Sequence, residues 1–225
     1  MDNYINFHTH KLSTQDGVIT VYNQLLHEET DIPKQLYSAG LHPWHADKLS
    51  AAELSRILDL HGSSSNLVAL GETGLDKVCK IPIQLQQDIF ELHLNKAVIL
   101  CKPVIIHCVK AWEELLEITR HYHIPMILHG YNGSDQLTAN LVKRGFYFSV
   151  GTMILNPNSR ICHAINHIPI SSIFCETDDS DLPVQSIYKA VGGYLKMKET
   201  DFKRAVIENF VRLRNNKKVH AKNAK

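Results

Sequence analysis

The sequence predicts an α/β fold, a TIM-type barrel of parallel strands that is shortened or distorted in its first third. Three observations carry this. Short apolar runs rich in β-formers recur at 4–8, 18–22, 36–41, 67–72, 103–107, 125–129, 145–150 and 172–177, and most lack strict alternation, as strands covered on both faces do. Amphipathic stretches separate the later runs, and strand alternating with helix means a parallel sheet. Several runs also end in a residue suited to metals: INFHTH (His8, His10), VALGE (Glu72), PVIIH (His107), PMILH (His129) and SIFCETD (Asp178). A core strand has no use for such a tip, whereas a parallel barrel enzyme takes its catalytic groups from the C-terminal ends of several strands. Eight candidate strands favour a closed barrel over an open doubly wound sheet.

The elements follow in order. Only about ten residues, KLSTQDG among them, separate the first run from the second, too few for a helical crossover. The connection from Tyr22 to Leu36 is also short, so the first third of the barrel is expected to be trimmed. Helices are predicted at roughly 49–61, 82–100, 111–123, 134–144, 156–167 and 184–194, with a last one at 200–214. Ser50 before AAEL, Pro82 and the Thr200–Asp201 pair mark starts. Gly62, Gly145 and Pro125 mark stops. Residues 1–214 read as one barrel domain, and 215–225 as a basic, frayed tail.

Composition narrows the class. A chain of 225 residues can bury a substantial core within one domain. Its 44% hydrophobic and 21% charged residues describe an ordinary globular protein. A formal net charge of +1 provides no global field for nucleic acid. Such a charge does not favour a long nucleic-acid duplex, whose binding relies on many Lys and Arg contacts. The five cysteines (Cys79, Cys101, Cys108, Cys162, Cys175) show no C-x-x-C pairing, which points to buried hydrophobes in a reducing compartment rather than disulfides or a thiolate zinc site. The polar start MDNYINFHTH does not read as a signal peptide, and no apolar run is long enough to span a bilayer. A cytoplasmic protein without a membrane or obligate protein partner is expected.

The candidate chemistry lies at the strand tips. His8 and His10, two apart on a strand, face one side and can reach one ion. Glu72, in LVALGETGLD, carries two oxygens and can bridge cations about 4 Å apart. His107 and His129 end near-identical runs, KPVIIH and IPMILH, and would form the other half of a binuclear site. Asp178, in FCETDDSD, can bind a metal, orient a water and take its proton. Asp179 and Asp181 read as solvated loop acids. His42, in GLHPWH, could reach a substrate oxyanion or serve a structural or supporting role. His27, His61, His93, His121, His123, His163, His167 and His220 read as surface or packing residues.

The ordered set FHTH, GLHPWHA, ALGETGLD, PVIIHC, ILHGYNGS, FCETDDSD and IENFVRL, running from about residue 5 to 214, resembles the TatD-type metal-dependent deoxyribonucleases among the amidohydrolase-like metal barrels. The resemblance implies two divalent metals at the C-terminal mouth of a TIM-type barrel. His8, His10, Glu72 and Asp178 match the ligands of one, and Glu72, His107 and His129 those of the other. His42 matches a histidine near the substrate phosphate, and Lys110, in HCVKAW, stands near a usual basic position. The implied activity is phosphodiester hydrolysis, by exonucleolytic removal of nucleotides from DNA. The chain departs from the family in three places. The loop DSDLPVQSIYKAVGG is shorter and lacks the usual arginine and asparagine, GLDKV lacks the aromatic pair often found after GLD, and the first crossover helix is missing.

The expected mechanism is two-metal hydrolysis, with water positioned by Asp178 and both ions stabilising the charge on the phosphoryl oxygens. Imidazole ligands favour Zn over Mg, with Mg and Mn as alternatives. One rival is an amidohydrolase acting on a C–N or ester bond; such enzymes commonly bridge their metals with a carboxylated lysine, where this chain has Glu72. The other is a paralogue that binds metal without nuclease activity.

Overall fold

The computed structural model describes residues 3–12 and 15–215. Eight strands are present: β1 (Tyr4–Thr9), β2 (Val18–Leu25), β3 (Tyr37–Gly40), β4 (Leu67–Asp76), β5 (Val104–Val109), β6 (Met126–Leu128), β7 (Tyr147–Val150) and β8 (Ile173–Cys175). The helices are α1 (Ala51–Gly62), α2 (Ile83–Leu100), α3 (Trp112–Thr119), α4 (Asp135–Lys143), α5 (Ile161–Ala164), α6 (Val184–Tyr194) and α7 (Glu199–Asn215). The strands form one sheet in chain order, β1 to β8. With helices between successive strands from β3 onward, this is the TIM-type barrel class. Among the described residues no helix separates β1 from β2 or β2 from β3, so the first third is trimmed as expected. The predicted tail beyond Asn215 lies outside the described residues.

Packing divides the described residues into two compact units, one holding those up to Tyr22 and those from Ile127 to Asn215, the other Asn23–Met126. In the first unit β1 pairs parallel with β2, β6 with β7 and β7 with β8. The chain leaving β8 runs beside β1, where the Asp178 N–H donates to His8 O at 3.0 Å. The core is aromatic: Phe7 stacks on Phe174 at 4.1 Å and meets Phe210 edge-on. The buried Tyr188 hydroxyl takes the Ile5 N–H and donates to Ile5 O, tying α6 to β1. Asn209, in IENFVRL, donates to Ile170 O and Ile173 O and so docks α7 at the start of β8. The helix predicted over 156–167 is reduced to α5 and a 3-10 turn, Ile165–His167. The Asn156 side chain accepts the Asn158 N–H, and the Ser159 hydroxyl donates to Met153 O. These local bonds hold a turn where a helix would begin.

In the second unit β3, β4 and β5 run parallel, and every residue of β4 is buried. Polar residues on such a strand need partners, and α2 supplies several. Gln86 accepts the Asp76 N–H and donates to Asp76 O and Ile81 O. The fully buried His93 donates from Nδ1 to Ile89 O at 2.8 Å, lies 3.2 Å from the Thr73 hydroxyl through the same nitrogen, and accepts the Leu41 N–H at Nε2. His61, also fully buried, sits between the Tyr37 hydroxyl and Thr30 O. Helix α1 begins with a capping box between Ser50 and Glu53. Helix α3 stops at Thr119, short of the predicted 123.

β4 continues four residues past its predicted end at Glu72. Gly71 and Gly74 permit it. They hold φ values of +114° and +142°, and a Cβ at either would stand 2.3 Å from Ile105 O or 2.0 Å from His107 O on β5.

Burial pushes the pKa of His93 down from 6.5 to about 4. Between those values the unfolded chain binds the proton that the folded one refuses. This stabilising contribution is therefore complete above pH 6.5 and is lost as pH falls toward 4, by on the order of 3 kcal/mol. Chemical denaturation of wild type and His93→Gln across pH 4–8 should show the gap between them narrowing on the acid side. A gap independent of pH would sink this account.

Candidate active site

The second unit carries Glu72, His42 and His107. The Glu72 carboxylate is almost fully buried, with Oε1 at 2.8 Å from His107 Nδ1 and 3.2 Å from His42 Nε2. Its backbone N–H donates to Asn23 Oδ1, which also accepts the Ser38 hydroxyl. One ligand atom from each of His42, Glu72 and His107 lies within 4.8 Å of the others. His42 precedes a 3-10 turn, Pro43–His45, and its Nδ1 accepts the Trp44 backbone N–H at 3.2 Å. That N–H can only donate, so the neutral ring holds its proton on Nε2. Nε2–H is a hydrogen-bond donor that faces the Glu72 carboxylate at 3.2 Å, as suits an anionic oxygen.

Asp76 was missed in the sequence reading. It lies four residues after Glu72 on β4, and strand periodicity places Glu72, Gly74 and Asp76 on one face. Its Oδ2 accepts the Trp44 indole N–H at 2.6 Å and lies 3.5 Å from His107 Nε2. Burial works to raise its pKa, but the bonds from Trp44 and the Val78 N–H, with His107 beside it, outweigh this and lower it. A carboxylate behind a ligating imidazole fixes the ring and strengthens its basicity. Lys110 lies exposed one residue past β5, with φ +54°. Cys108, next to His107, is no thiolate nucleophile at neutral pH, because burial pushes its thiol up to about 12.

The first unit carries His8, His10, His129 and Asp178. His8 is fully buried at the end of β1, and His10 is more open just beyond it. Their Nε2 atoms lie 3.5 and 3.4 Å from Asp178 Oδ1. Asn6 holds this arrangement by exchanging hydrogen bonds with Thr177, and Thr9 donates to Asp178 O. Asp178 sits in the left-handed region at φ +52°. The rings of His8 and His129 are 4.6 Å apart, and His8, His129 and Asp178 form another group with ligand atoms within 4.8 Å. Asp179, read as a solvated loop acid, is exposed yet forms a similar group with His10 and Asp178. Asp181 pairs with Lys11.

Glu176 was also missed, although it lies two residues before Asp178. It is fully buried, its Oε1 accepts the Gly130 N–H and stands 3.5 Å from His129 Nδ1, and Oε2 has no hydrogen-bond partner among the described residues. It stands behind His129 as Asp76 stands behind His107. Imidazoles gathered round buried carboxylates are the donors a divalent transition ion takes, so the residues of each unit fit a metal.

The model of the family described as "TatD related DNase" matches residues 13–218. An uncharacterized metal-dependent hydrolase of Buchnera aphidicola is 32% identical over 63% of this chain and 58% of its own length. A human protein named 3'-5' RNA nuclease TATDN2 is 35% identical over 62% of this chain and 19% of its own. The chain thus spans less than two thirds of these relatives. YjjV of Escherichia coli, a TatD homologue of known structure, shares the fold with a TM-score of 0.81 at 22% identity, over 93% of this chain and 97% of that one. A dihydroorotase shares it with a TM-score of 0.61 at 14% identity, over 96% and 69%.

Glu176→Gln should weaken metal binding about tenfold or more. Calorimetric titration of the chelator-stripped protein with Zn and Mn measures this. Unchanged affinity would mean that Glu176 only fills space.

Proposed function

Because the chain belongs to the TatD related DNase family, whose matched relatives include metal-dependent hydrolases, we propose that this metal-dependent hydrolase cleaves phosphodiester bonds of nucleic acid, removing nucleotides from a DNA end. The observation that supports this most is the grouping on Glu72: a buried carboxylate held by two imidazoles, one presenting Nε2–H as a donor for an anionic oxygen. The ligands we propose for two divalent ions are those the family resemblance implies, His8, His10, Glu72 and Asp178 for one and Glu72, His107 and His129 for the other. Imidazole donors favour Zn, with Mg or Mn as alternatives.

Divalent ions held there polarise the phosphoryl group and make water a stronger acid. The chain's own residues supply the rest. Asp178, facing His8 and His10 and partly open to solvent, orients the attacking water and accepts its proton. His42 donates from Nε2 to a phosphoryl oxygen, a bond that strengthens as charge develops. Lys110, exposed beyond β5, pairs with a flanking phosphate. The five free thiols suit a reducing compartment, and we propose the cytoplasm.

The test is hydrolysis of a short single-stranded oligonucleotide and of bis(p-nitrophenyl) phosphate, with Mg, Mn and Zn supplied separately. Wild type should cleave both. Asp178→Asn should lower kcat about a thousandfold with the fold retained by circular dichroism. Turnover surviving in Asp178→Asn would remove the assigned base. Bound metal with no cleavage of either substrate would overturn the phosphodiesterase reading.

A further inference from the structure

Trp44 is more than half exposed (54%), although a tryptophan gains most by burial. Single exposed apolar side chains are common and call for no explanation, but this one is held at every joint. Its backbone N–H donates to His42 Nδ1. Pro43 opens the 3-10 turn that carries it, and His45, which closes the turn, stacks on His27 with ring centroids 3.8 Å apart. Its indole N–H donates at 2.6 Å to Asp76, itself buried. The ring meets His42 edge-on at 4.9 Å and stands 6.2 Å from His107. An aromatic plane whose orientation is already fixed loses little entropy on receiving a second plane.

We propose that Trp44 is a stacking platform for the nucleobase attached to the phosphate that His42 receives. This rests on the phosphodiesterase reading and adds to it a residue that contacts the base. A base inside a duplex is already stacked on both faces, whereas an unpaired base offers a free one. Base–aromatic stacking tolerates any sequence, because every base has a π-face. It also adds affinity without adding charge, which suits a chain of net charge +1. The indole of Trp44 is tied to the aspartate of the GLDKV segment. Asp76 is a positioning residue in this arrangement, since it orients the ring through the indole N–H.

The test compares a single-stranded oligonucleotide with the same oligomer made abasic at its terminal residues, in deoxyribo and ribo forms. Wild type should favour the base-bearing oligomer at least tenfold in kcat/KM, chiefly through KM. Trp44→Ala should reduce that preference to about one, and Trp44→Phe should keep part of it. A merely structural role would lower both substrates alike and leave the ratio standing. A ratio unchanged in Trp44→Ala would overturn the proposal.

A second arm needs no turnover. The chain has two tryptophans, so Trp112→Phe leaves Trp44 as the sole reporter. In chelator, the base-bearing oligonucleotide should quench its emission and the abasic one should not. Equal effects, or none, would overturn the platform. Quenching without hydrolysis would support the platform while the phosphodiesterase reading fails.

Discussion

The second unit depends on one constraint, which is that the Glu72 carboxylate is buried. Removing a carboxylate from water costs several kcal/mol unless hydrogen bonds and charge compensate it. The surrounding sequence can be read as compensation. Asn23 takes the Glu72 N–H, and Ser38 holds Asn23 in turn. His42 and His107 meet the carboxylate itself. Gly71 and Gly74 let β4 lie against the β5 backbone closely enough for His107 to arrive. Helix α2 then secures the remaining polar atoms of the strand, through Gln86 at Asp76 and His93 at Thr73. None of these groups maximises stability by itself. Together they hold a charge where a smaller apolar core would be cheaper.

The first unit solves the same problem by different means. Its buried carboxylate is Glu176, against His129, while the reactive candidate, Asp178, remains partly open to solvent. The chain between them turns through the left-handed region at Asp178, with Asn6 and Thr9 holding the backbone there. The two carboxylates, two residues apart, are thereby placed in different environments. Burial beside an imidazole suits Glu176 to orienting a ring, and partial exposure suits Asp178 to handling water.

Much of this was legible in the sequence. All eight strands lie where apolar runs predicted them, because a strand buried on both faces needs such a run. The missing early helices followed from connection length alone. Helix limits were less legible at α3 and α5; at α5 an asparagine–serine turn acted locally against an amphipathic pattern. At the site, the residues that end apolar runs were visible. Asp76 and Glu176 were not, because which acid faces which imidazole is set by packing between strands. The period of two that paired His8 with His10 also points from Glu72 to Asp76 and from Asp178 back to Glu176. His93 and His61 could not be separated from surface histidines, since amphipathicity gives no sign of a tautomer locked between two backbone or hydroxyl partners.

Tautomers divide the histidines by task. A neutral imidazole offers one donor and one acceptor, so whatever fixes one nitrogen decides the other. In His93 a carbonyl takes the Nδ1 proton and Nε2 is left to accept, which makes the ring a brace between α2 and β3. In His42 a backbone N–H occupies Nδ1 and leaves Nε2 a donor. In the second unit Asp76 and Glu72 face the two ring nitrogens of His107, at 3.5 and 2.8 Å, and Glu72 also faces His42 Nε2 at 3.2 Å, so His42 and His107 share one buried carboxylate. In the first unit Glu176 stands 3.5 Å from His129 Nδ1. The sequence shows which residue type stands at each strand tip, whereas these partners decide how each ring is held.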